Sequence, residues 1–400
     1  MSELYELPEG WEWKKLDSLA RFQSGGTPKR SNKVYWNGNI PWIKISDIND
    51  NMYVNSSVEF ITKDGLDNSS AKLFPKGTIL YTIFATIGKI GILNIEATTN
   101  QAISGITPNE DTDIFYMYYG LKFITNEIKK ISTGVAQNNI NLTKLKAQFL
   151  PVPSFQEQKR IVAKLDTLFE KIDKAIALHQ KNMDEADAFM GSVLNDVFGE
   201  LEDKYTIKTV DELCTKITDG THTTPKYIDR GVPFLSVKNI SKGVISFDDT
   251  RFVSPEEHKL LSKRCNVEFN DILYTKVGTT GLAKVVDTNK EFSIFVSIAL
   301  LKPKKDLIHS MFFQYMLNSP NCYAQSQKRT RGVANKNLVL KDIKQISFPL
   351  APLNIQQKTV TYLDEISQKI EKIKSVQKEK MESLVALKAS ILDQAFRGEL

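Results

Sequence analysis

Long apolar runs are missing from this sequence. None approaches the ~18 residues that a membrane-crossing helix needs, so no membrane span is expected. The segment from Met1 to Gly10 is acidic and has no apolar signal core, which points to a cytoplasmic protein. Cysteine is scarce. Cys214, Cys265 and Cys322 are odd in number and far apart, which excludes a disulfide framework and suits a reducing compartment. Histidine is also scarce: His179, His222, His258 and His309 show no zinc-ligand spacing with the cysteines.

Motifs of chemistry are absent as well. Gly88-Lys89 is followed by Ile90, so there is no phosphate-binding G-x-x-x-x-G-K-[ST] loop. No two prolines are adjacent, which excludes the Asn/Asp-Pro-Pro-aromatic motif of amino-methyltransferases. Neither G-x-G-x-x-G nor G-x-S-x-G occurs. No catalytic residue, metal ligand or cofactor is assigned. Scattered Asp and Glu leave open a stand-alone nuclease whose carboxylates meet only in the fold.

What the chain has is repetition. Gly134-Val135-Ala136-Gln137-Asn138-Asn139-Ile140-Asn141-Leu142 returns as Gly332-Val333-Ala334-Asn335-Lys336-Asn337-Leu338-Val339-Leu340, 198 residues later. At the same offset Pro151 matches Pro349, Gln158 matches Gln356, Leu165-Asp166 matches Leu363-Asp364, and Phe198 matches Phe396. Both halves close on Gly-Glu-Leu. So long a period means one duplicated unit, in contrast to a solenoid. The fronts are looser: Ile79-Leu80-Tyr81-Thr82 echoes Ile272-Leu273-Tyr274-Thr275, and Ile40-Pro41-Trp42 echoes Val232-Pro233-Phe234. Similar frames with different surfaces suggest different duties for front and rear.

The fronts read as mixed domains. Short β-rich runs cover Ile79 to Ile83, Ile90 to Ile95 and Ala102 to Thr107, with a helix over Ile114 to Lys130. The second copy repeats the order, with strands at Asp271 to Thr275 and Phe295 to Leu301 and a helix at Ser310 to Gln325. Gly25-Gly26-Thr27-Pro28, Asn37-Gly38 and Pro75-Lys76-Gly77 are turn signals.

The rears read as long helices. From Phe155 to Phe198 there is no proline and one glycine, Gly191. Apolar steps of three and four run through Ile161, Leu165, Leu168, Ile172, Ile176, His179, Met183, Ala186, Met190, Val193 and Val197. The second copy shows Leu363, Ile366, Ile370, Ile373, Gln377, Lys380, Leu384, Leu387 and Ile391, with Gln377 and Lys380 interrupting the stripe. Each helix would span roughly 66 Å at 1.5 Å per residue. Two arrangements stay open: the helices pair with one another, or each packs on its own domain. The expected fold is α+β, with two globular domains joined by two long α-helices as an antiparallel coiled coil and a pseudo-two-fold internal repeat. The expected boundaries are 1–152 for the first domain, 153–201 for the first helix, 202–350 for the second domain and 351–400 for the second helix.

Charge is uneven. The net of +6 divides as +1 over 1–152, −3 over 153–201, +7 over 202–350 and +1 over 351–400. A phosphate-bearing partner fits the basic third block. Phosphate contacts are expected from Lys29, Arg30, Lys44 and Lys89 in the first domain, and from Lys226, Lys238, Lys276, Lys284, Lys328, Arg329 and Arg331 in the second. Arg30, Gln101, Asn239 and Arg331 have the donor geometry for base edges. Thr223 and Thr224 could touch phosphate or a thymine methyl. The turns at Gly88 to Gly91 and Gly278 to Gly281 either let backbone approach DNA or are plain hairpin turns.

Several stretches then carry a specific likeness. They are Leu7-Pro8-Glu9-Gly10-Trp11, Ser24-Gly25-Gly26-Thr27-Pro28, Ile40-Pro41-Trp42-Ile43, Ser46-Asp47-Ile48, Ala85-Thr86-Ile87-Gly88-Lys89-Ile90-Gly91, Asn100-Gln101-Ala102-Ile103, and Pro151 through Val162. In this order they resemble the specificity subunits of Type I restriction–modification systems, over nearly the whole chain. The resemblance implies two target-recognition domains, each reading one half of a bipartite asymmetric site on double-stranded DNA. It implies that the coiled coil sets the unread gap and docks modification (methyltransferase) subunits, two of them. It implies that restriction/translocase subunits join and that the chain itself is no enzyme. The second copy departs from the pattern: Thr221-His222-Thr223-Thr224-Pro225 stands for Gly25-Gly26-Thr27-Pro28, which suits a different half-site. Apart from the stand-alone nuclease, the competing reading is a protein-binding adaptor whose domains never touch DNA.

Overall fold

The structure is a computed structural model that describes residues 5–49, 51–84, 86–131, 142–241, 243–332 and 336–400. The repeat anchor at 134–141 and its counterpart at 333–335, together with Ala85, lie outside the described residues. By packing, the chain divides into two compact units, residues 1–178 with 380–400, and residues 179–379.

The first unit holds a five-stranded sheet in the order Ala20–Ser24, Ile103–Pro108, Ile79–Thr82, Ile90–Leu93, Tyr53–Val54. Its pairs are antiparallel except the last. A three-stranded sheet, Glu59–Ile61, Trp36–Ile43 and Thr98–Thr99, stands beside it. Strand Glu12–Lys15 pairs with Phe149–Val152 and ties the start of the domain to its end. Helix Ile114–Ile131 packs on strand Ile90–Leu93. The central strands are buried on both faces, which explains why they run as near-continuous hydrophobic stretches with no polar–apolar alternation. The Asn37-Gly38 turn signal is corrected: it forms a bulge inside strand Trp36–Ile43, where pairing with Ile61 shifts register. Asn37 takes a φ of 63° there. A side chain on Gly38 would meet the Ile61 backbone at 2.4 Å.

The second unit repeats the plan with a four-stranded sheet, Cys214–Asp219, Ile298–Pro303, Ile272–Thr275, Ala283–Val285. Its three-stranded sheet is Arg251–Val253, Val232–Leu235 and Ser293–Ile294. Strand Ile207–Thr209 pairs with Ser347–Pro349. The single helix expected over 310–325 is two, Ser310–Leu317 and Pro320–Arg329. Pro320 has no N–H to continue the first helix. It opens the second behind Ser319, whose hydroxyl accepts from the Cys322 N–H.

The duplication extends to single hydrogen bonds. The buried Gln158 amide donates to the carbonyls of Asp111 and Pro153 and accepts from the Asp113 N–H. Gln356 does the same with Leu307, Ala351 and His309. Tyr119 donates to Asp166 at 2.5 Å, and Tyr315 to Asp364 at 2.7 Å. Gly88 and Gly281, with φ of 79° and 89°, each donate N–H to the threonine that ends the preceding strand, Thr82 or Thr275. The equivalent turn glycines are therefore Gly88 and Gly281, and both turns are hairpin turns.

The long helices run Phe155–Glu202 and Leu353–Arg397. They pair antiparallel. In the first unit Arg160 donates to the Leu400 carbonyl and Lys388 to Asp173. In the second, His179 meets Gln377 and Lys374 meets Asp187. Each core is completed by the tail of the other copy. Phe396, 0% exposed, stacks on Phe123 in the first unit at 5.1 Å. Phe198 meets Phe312 edge-on in the second at 5.5 Å.

All eleven expected seam positions of the first helix are buried or half-buried. The second helix needs a correction: Ile373, Lys380 and Leu387 are exposed, while Lys374, Met381 and Lys388 take the inward turn. After Ile370 the steps run four then three in place of three then four, so Gln377, Leu384 and Ile391 stay inward and each position between them moves one residue on, as the mismatch between 3.5 and 3.6 residues per turn allows. Lys374 and Lys388 lay their alkyl stems inward and end on Asp187 and Asp173.

Candidate nucleic-acid interface

In the first unit the expected basic residues converge beside the three-stranded sheet. Gly25 and Gly26 let the chain pass against the turn after strand Thr98–Thr99: a Cβ on Gly25 would lie 2.0 Å from Thr99 Oγ1. Gly26 N–H donates to the Thr99 carbonyl, and Trp42 Nε1–H to the Gly26 carbonyl at 3.0 Å. This turn delivers Lys29 and Arg30. The Arg30 guanidinium stacks on Trp36 at 3.8 Å and Trp42 at 4.6 Å from the ring centroids. Glu59 accepts from Arg30 and from Lys44, the latter at 2.5 Å. Those hydrogen bonds, Lys44 first and then Arg30, hold the Glu59 carboxyl below its usual range. Gln101 accepts from Thr27 on the same turn. Lys29 is exposed. Two cations on one carboxylate leave a local positive excess, with Arg30 fixed in orientation. Lys89 stands apart: its ammonium donates to the Ile48 carbonyl at 3.0 Å, bracing the hairpin.

The second unit carries different side chains on the same frame. Gly220 takes the place of Gly25, with a virtual Cβ 2.0 Å from the Ile294 carbonyl oxygen. The loop that follows, Thr221 to Pro225, is two residues longer than Gly26 to Pro28. Thr223 and Thr224 are exposed on it, Lys226 beyond it. Thr221 Oγ1 donates to the Thr223 carbonyl. Beneath the loop Asp219, 3% exposed, gathers Arg264 at 2.6 Å, Lys276 at 3.0 Å and His222 at 3.2 Å. Lys276 is thus a buried counter-charge, and the expectation of a direct phosphate contact there is corrected by its burial. Asn239 is corrected likewise. It is 4% exposed, its Oδ1 accepts from the Ser236 N–H at 3.0 Å and its Nδ2 donates to the Ser246 carbonyl. No amide edge is left for a base.

The other cations of this unit scatter. Lys238 pairs with Asp249 at 2.9 Å and Lys284 with Asp287 at 3.0 Å. Lys328 is exposed near the end of helix Pro320–Arg329, and Arg329 donates to the Gln325 carbonyl. Arg331 is exposed and reaches Asp342 at 3.4 Å. The Arg331 backbone bridges to Asn337, and the Gly278 N–H donates to the Lys336 carbonyl.

Sequence reasoning missed several residues at these corners: Trp36, Trp42 and Glu59 in the first unit, and Asp219, His222, Tyr227, Arg251 and Arg264 in the second. Strand register relates them. Trp42 pairs with Glu59, and Phe234 with Arg251. One position is therefore acidic in the first unit and basic in the second. The echo of Ile40-Pro41-Trp42 in Val232-Pro233-Phe234 was the available signal, but it did not name the partner strand.

Among the described residues no group of three or more His, Cys, Asp or Glu side chains is placed to hold a metal ion. Burial pushes the thiols of Cys214, Cys265 and Cys322 up to about 12. Among the described residues no helix is long and apolar enough to cross a membrane.

Comparison with known proteins gives a consistent answer. The sequence profile described as Type I restriction modification DNA specificity domain matches residues 8–182 and again 202–382. The Type I restriction enzyme EcoBI specificity subunit of Escherichia coli is 26% identical over 99% of this chain and 88% of its own length. The MjaIX specificity subunit of Methanocaldococcus jannaschii is 29% identical over 61% of each chain. A solved structure, reported for complex assembly and conformational transition of the type I R-M system, superposes with a TM-score of 0.72. It covers 99% of this chain and all of its own, at 22% identity, and so speaks for the fold.

Proposed function

The chain belongs to the family of Type I restriction modification DNA specificity domains, and from that premise we propose that it is the DNA-recognition subunit of a Type I restriction–modification complex. Each duplicated front, 1–152 and 202–350, reads one half of a bipartite, asymmetric site on double-stranded DNA. The helical rears, 153–201 and 351–400, set the unread gap. The chain binds without catalysing. Methylation belongs to two modification subunits, and translocation or cleavage to restriction subunits.

The observation that carries this reading is the charge reversal at one register position on a shared frame, Glu59 against Arg251. Two surfaces on one scaffold that differ in charge at a shared position suit two different base sequences. In the first unit Arg30 supplies base discrimination from its aromatic seat, and Lys29 and Lys44 supply phosphate contacts. Gln101 is a second base reader. In the second unit Thr223, Thr224, Lys226, Lys238, Lys284, Lys328, Arg329 and Arg331 face the duplex, while Lys276 and Asn239 hold the loops that present them. Lys89 has the same supporting role in the first. Exposed apolar side chains on the helices, Leu178, Phe189, Val385 and Leu387 among them, support docking of the modification subunits there.

Mapping methylated adenines in cells carrying this chain with its partners tests the proposal. One split motif with a fixed gap is expected. Exchanging residues 1–152 for another recognition domain changes one half of it, and adding turns within the helices changes the gap. Motifs that ignore both changes would overturn it.

A further inference from the structure

The second unit has an arginine that the sequence alone did not single out. Arg251 opens strand Arg251–Val253 and is register-paired with Phe234. Its guanidinium lies 4.5 Å from the centre of the Tyr227 ring. Tyr227 meets Phe234 edge-on at 5.8 Å, and Phe234 meets Phe295 at 6.1 Å. One ring therefore carries the cation, and two more support that ring. In the first unit Arg30 rests in the same way on Trp36 and Trp42, and Trp42 is the counterpart of Phe234. The two arginines come from different strands and loops: Arg30 is seated on the aromatic at that position itself, and Arg251 on Tyr227, the ring packed against it.

Their freedom differs. Arg30 gives part of its donor set to Glu59, the residue that occupies the Arg251 position in the first unit. Arg264 is tied to Asp219 and Arg331 to Asp342. Arg251 is exposed, and among the described residues no ion pair takes its donors. Asp249, the nearby carboxylate, is held by Lys238 instead. A planar guanidinium laid on a ring keeps its edge outward, with parallel N–H donors in fixed geometry. That edge matches two acceptors side by side, as guanine O6 and N7 present them in the major groove.

We infer that Arg251 is a specificity-determining residue of the second unit, reading a guanine in the half-site which that unit contacts. This rests on the DNA-recognition function proposed above. A phosphate contact is the competing use of the same cation, and the lysine substitution separates the two: lysine keeps the charge and loses the fork.

The test uses the full chain assembled with its modification subunits and a randomised duplex pool carrying the selected motif. Wild type, Arg251→Lys and Arg251→Ala are compared, with enriched sequences and affinity for non-specific duplex as readouts. Both variants are expected to relax one guanine position of one half-site by about tenfold or more, leaving the other half-site unchanged. Arg251→Lys is expected to keep its affinity for non-specific duplex. Replacing that guanine by 7-deazaguanine, which lacks the N7 acceptor, is expected to weaken wild type and leave Arg251→Lys unaffected. Loss spread evenly over all sequences in Arg251→Ala, restored by Arg251→Lys, would make Arg251 a phosphate contact and overturn the inference. So would undiminished selectivity in both variants, while the recognition function stands. If wild type itself enriches no sequence, both fall together.

Discussion

His179 and Gln377 meet across the paired helices, with the histidine Nδ1 2.5 Å from the glutamine Oε1. Each is a polar residue in the helix seam, and each finds the other. Asn182 Nδ2 also points at the same oxygen, at 3.5 Å. Polar pairs in coiled-coil seams specify register at a cost in stability. Replacing both by leucine should therefore raise the melting temperature. Either single replacement should lower it by leaving a half-buried polar group without its partner. The double-mutant cycle, read by thermal or denaturant unfolding, should give a coupling of about 1 kcal/mol. A coupling near zero would mean that the pair meets without holding.

Glu59 gives a pH dependence confined to one recognition surface. Its carboxyl titrates below the ordinary value of 4.5 because Lys44 and Arg30 donate to it. A carboxylate depressed in the folded state contributes stability that is fully present above the unfolded value. That contribution is lost as pH falls through the folded one. Glu59→Gln should remove this part of the acid transition, so that variant and wild type converge only once pH has fallen through the lowered folded-state value. Because the group is partly solvated, the effect is modest. At neutral pH the same variant frees Arg30 and Lys44, and binding of non-specific duplex should rise and grow more salt-sensitive. Acid unfolding curves and salt titrations check the two statements separately.

Much of this fold was legible because it rests on local periodicity. The repeat anchors named the pairs Gln158 with Gln356 and Phe198 with Phe396, and the three-four stripe named the seam of the first helix. What stayed hidden depends on register between distant segments. Arg30 and Glu59 are 29 residues apart, Lys276 and Asp219 are 57. No spacing rule joins them, because strand pairing decides which loops share a corner. Asn239 looked like a base reader by residue type, and only its backbone setting reveals a turn residue that bonds the Ser236 N–H. The second helix misled for a subtler reason. Lysines at 374 and 388 occupy inward turns that a hydrophobicity pattern assigns to Ile373 and Leu387.

The paired glutamines offer a test that compares the two copies. Gln158 and Gln356 are each almost wholly buried, and each satisfies two backbone carbonyls and one N–H at the start of a long helix. Truncation to alanine leaves those groups buried and unsatisfied. The expected loss is roughly 2 kcal/mol or more for each. Gln→Glu should be nearly as harmful, because a carboxylate cannot donate to the two carbonyls. Hydrogen exchange read unit by unit should show Gln158→Ala loosening the first unit, and Gln356→Ala the second.

Each unit's core is closed by an aromatic from the other copy's tail, and this exchange can be tested by removing it. Phe396 is fully buried between Tyr116 and Phe123, 5.0 and 5.1 Å away. Its replacement by alanine opens a cavity in the first unit and should cost about 3–5 kcal/mol. Phe198→Ala should do the same to the second unit, where the ring meets Phe312. The pattern of loss is the informative part. If each tail served the domain that precedes it in sequence, Phe396→Ala would expose amides of 202–350 and spare those of 5–131. Because the tails cross over, the opposite is expected, and exchange mapped by peptide decides between them. Under the recognition function proposed here the same cross-over has a consequence for DNA. Phe396→Ala, nearly 400 residues from Tyr5 yet holding its core, should weaken reading of the half-site assigned to the first unit before that of the second.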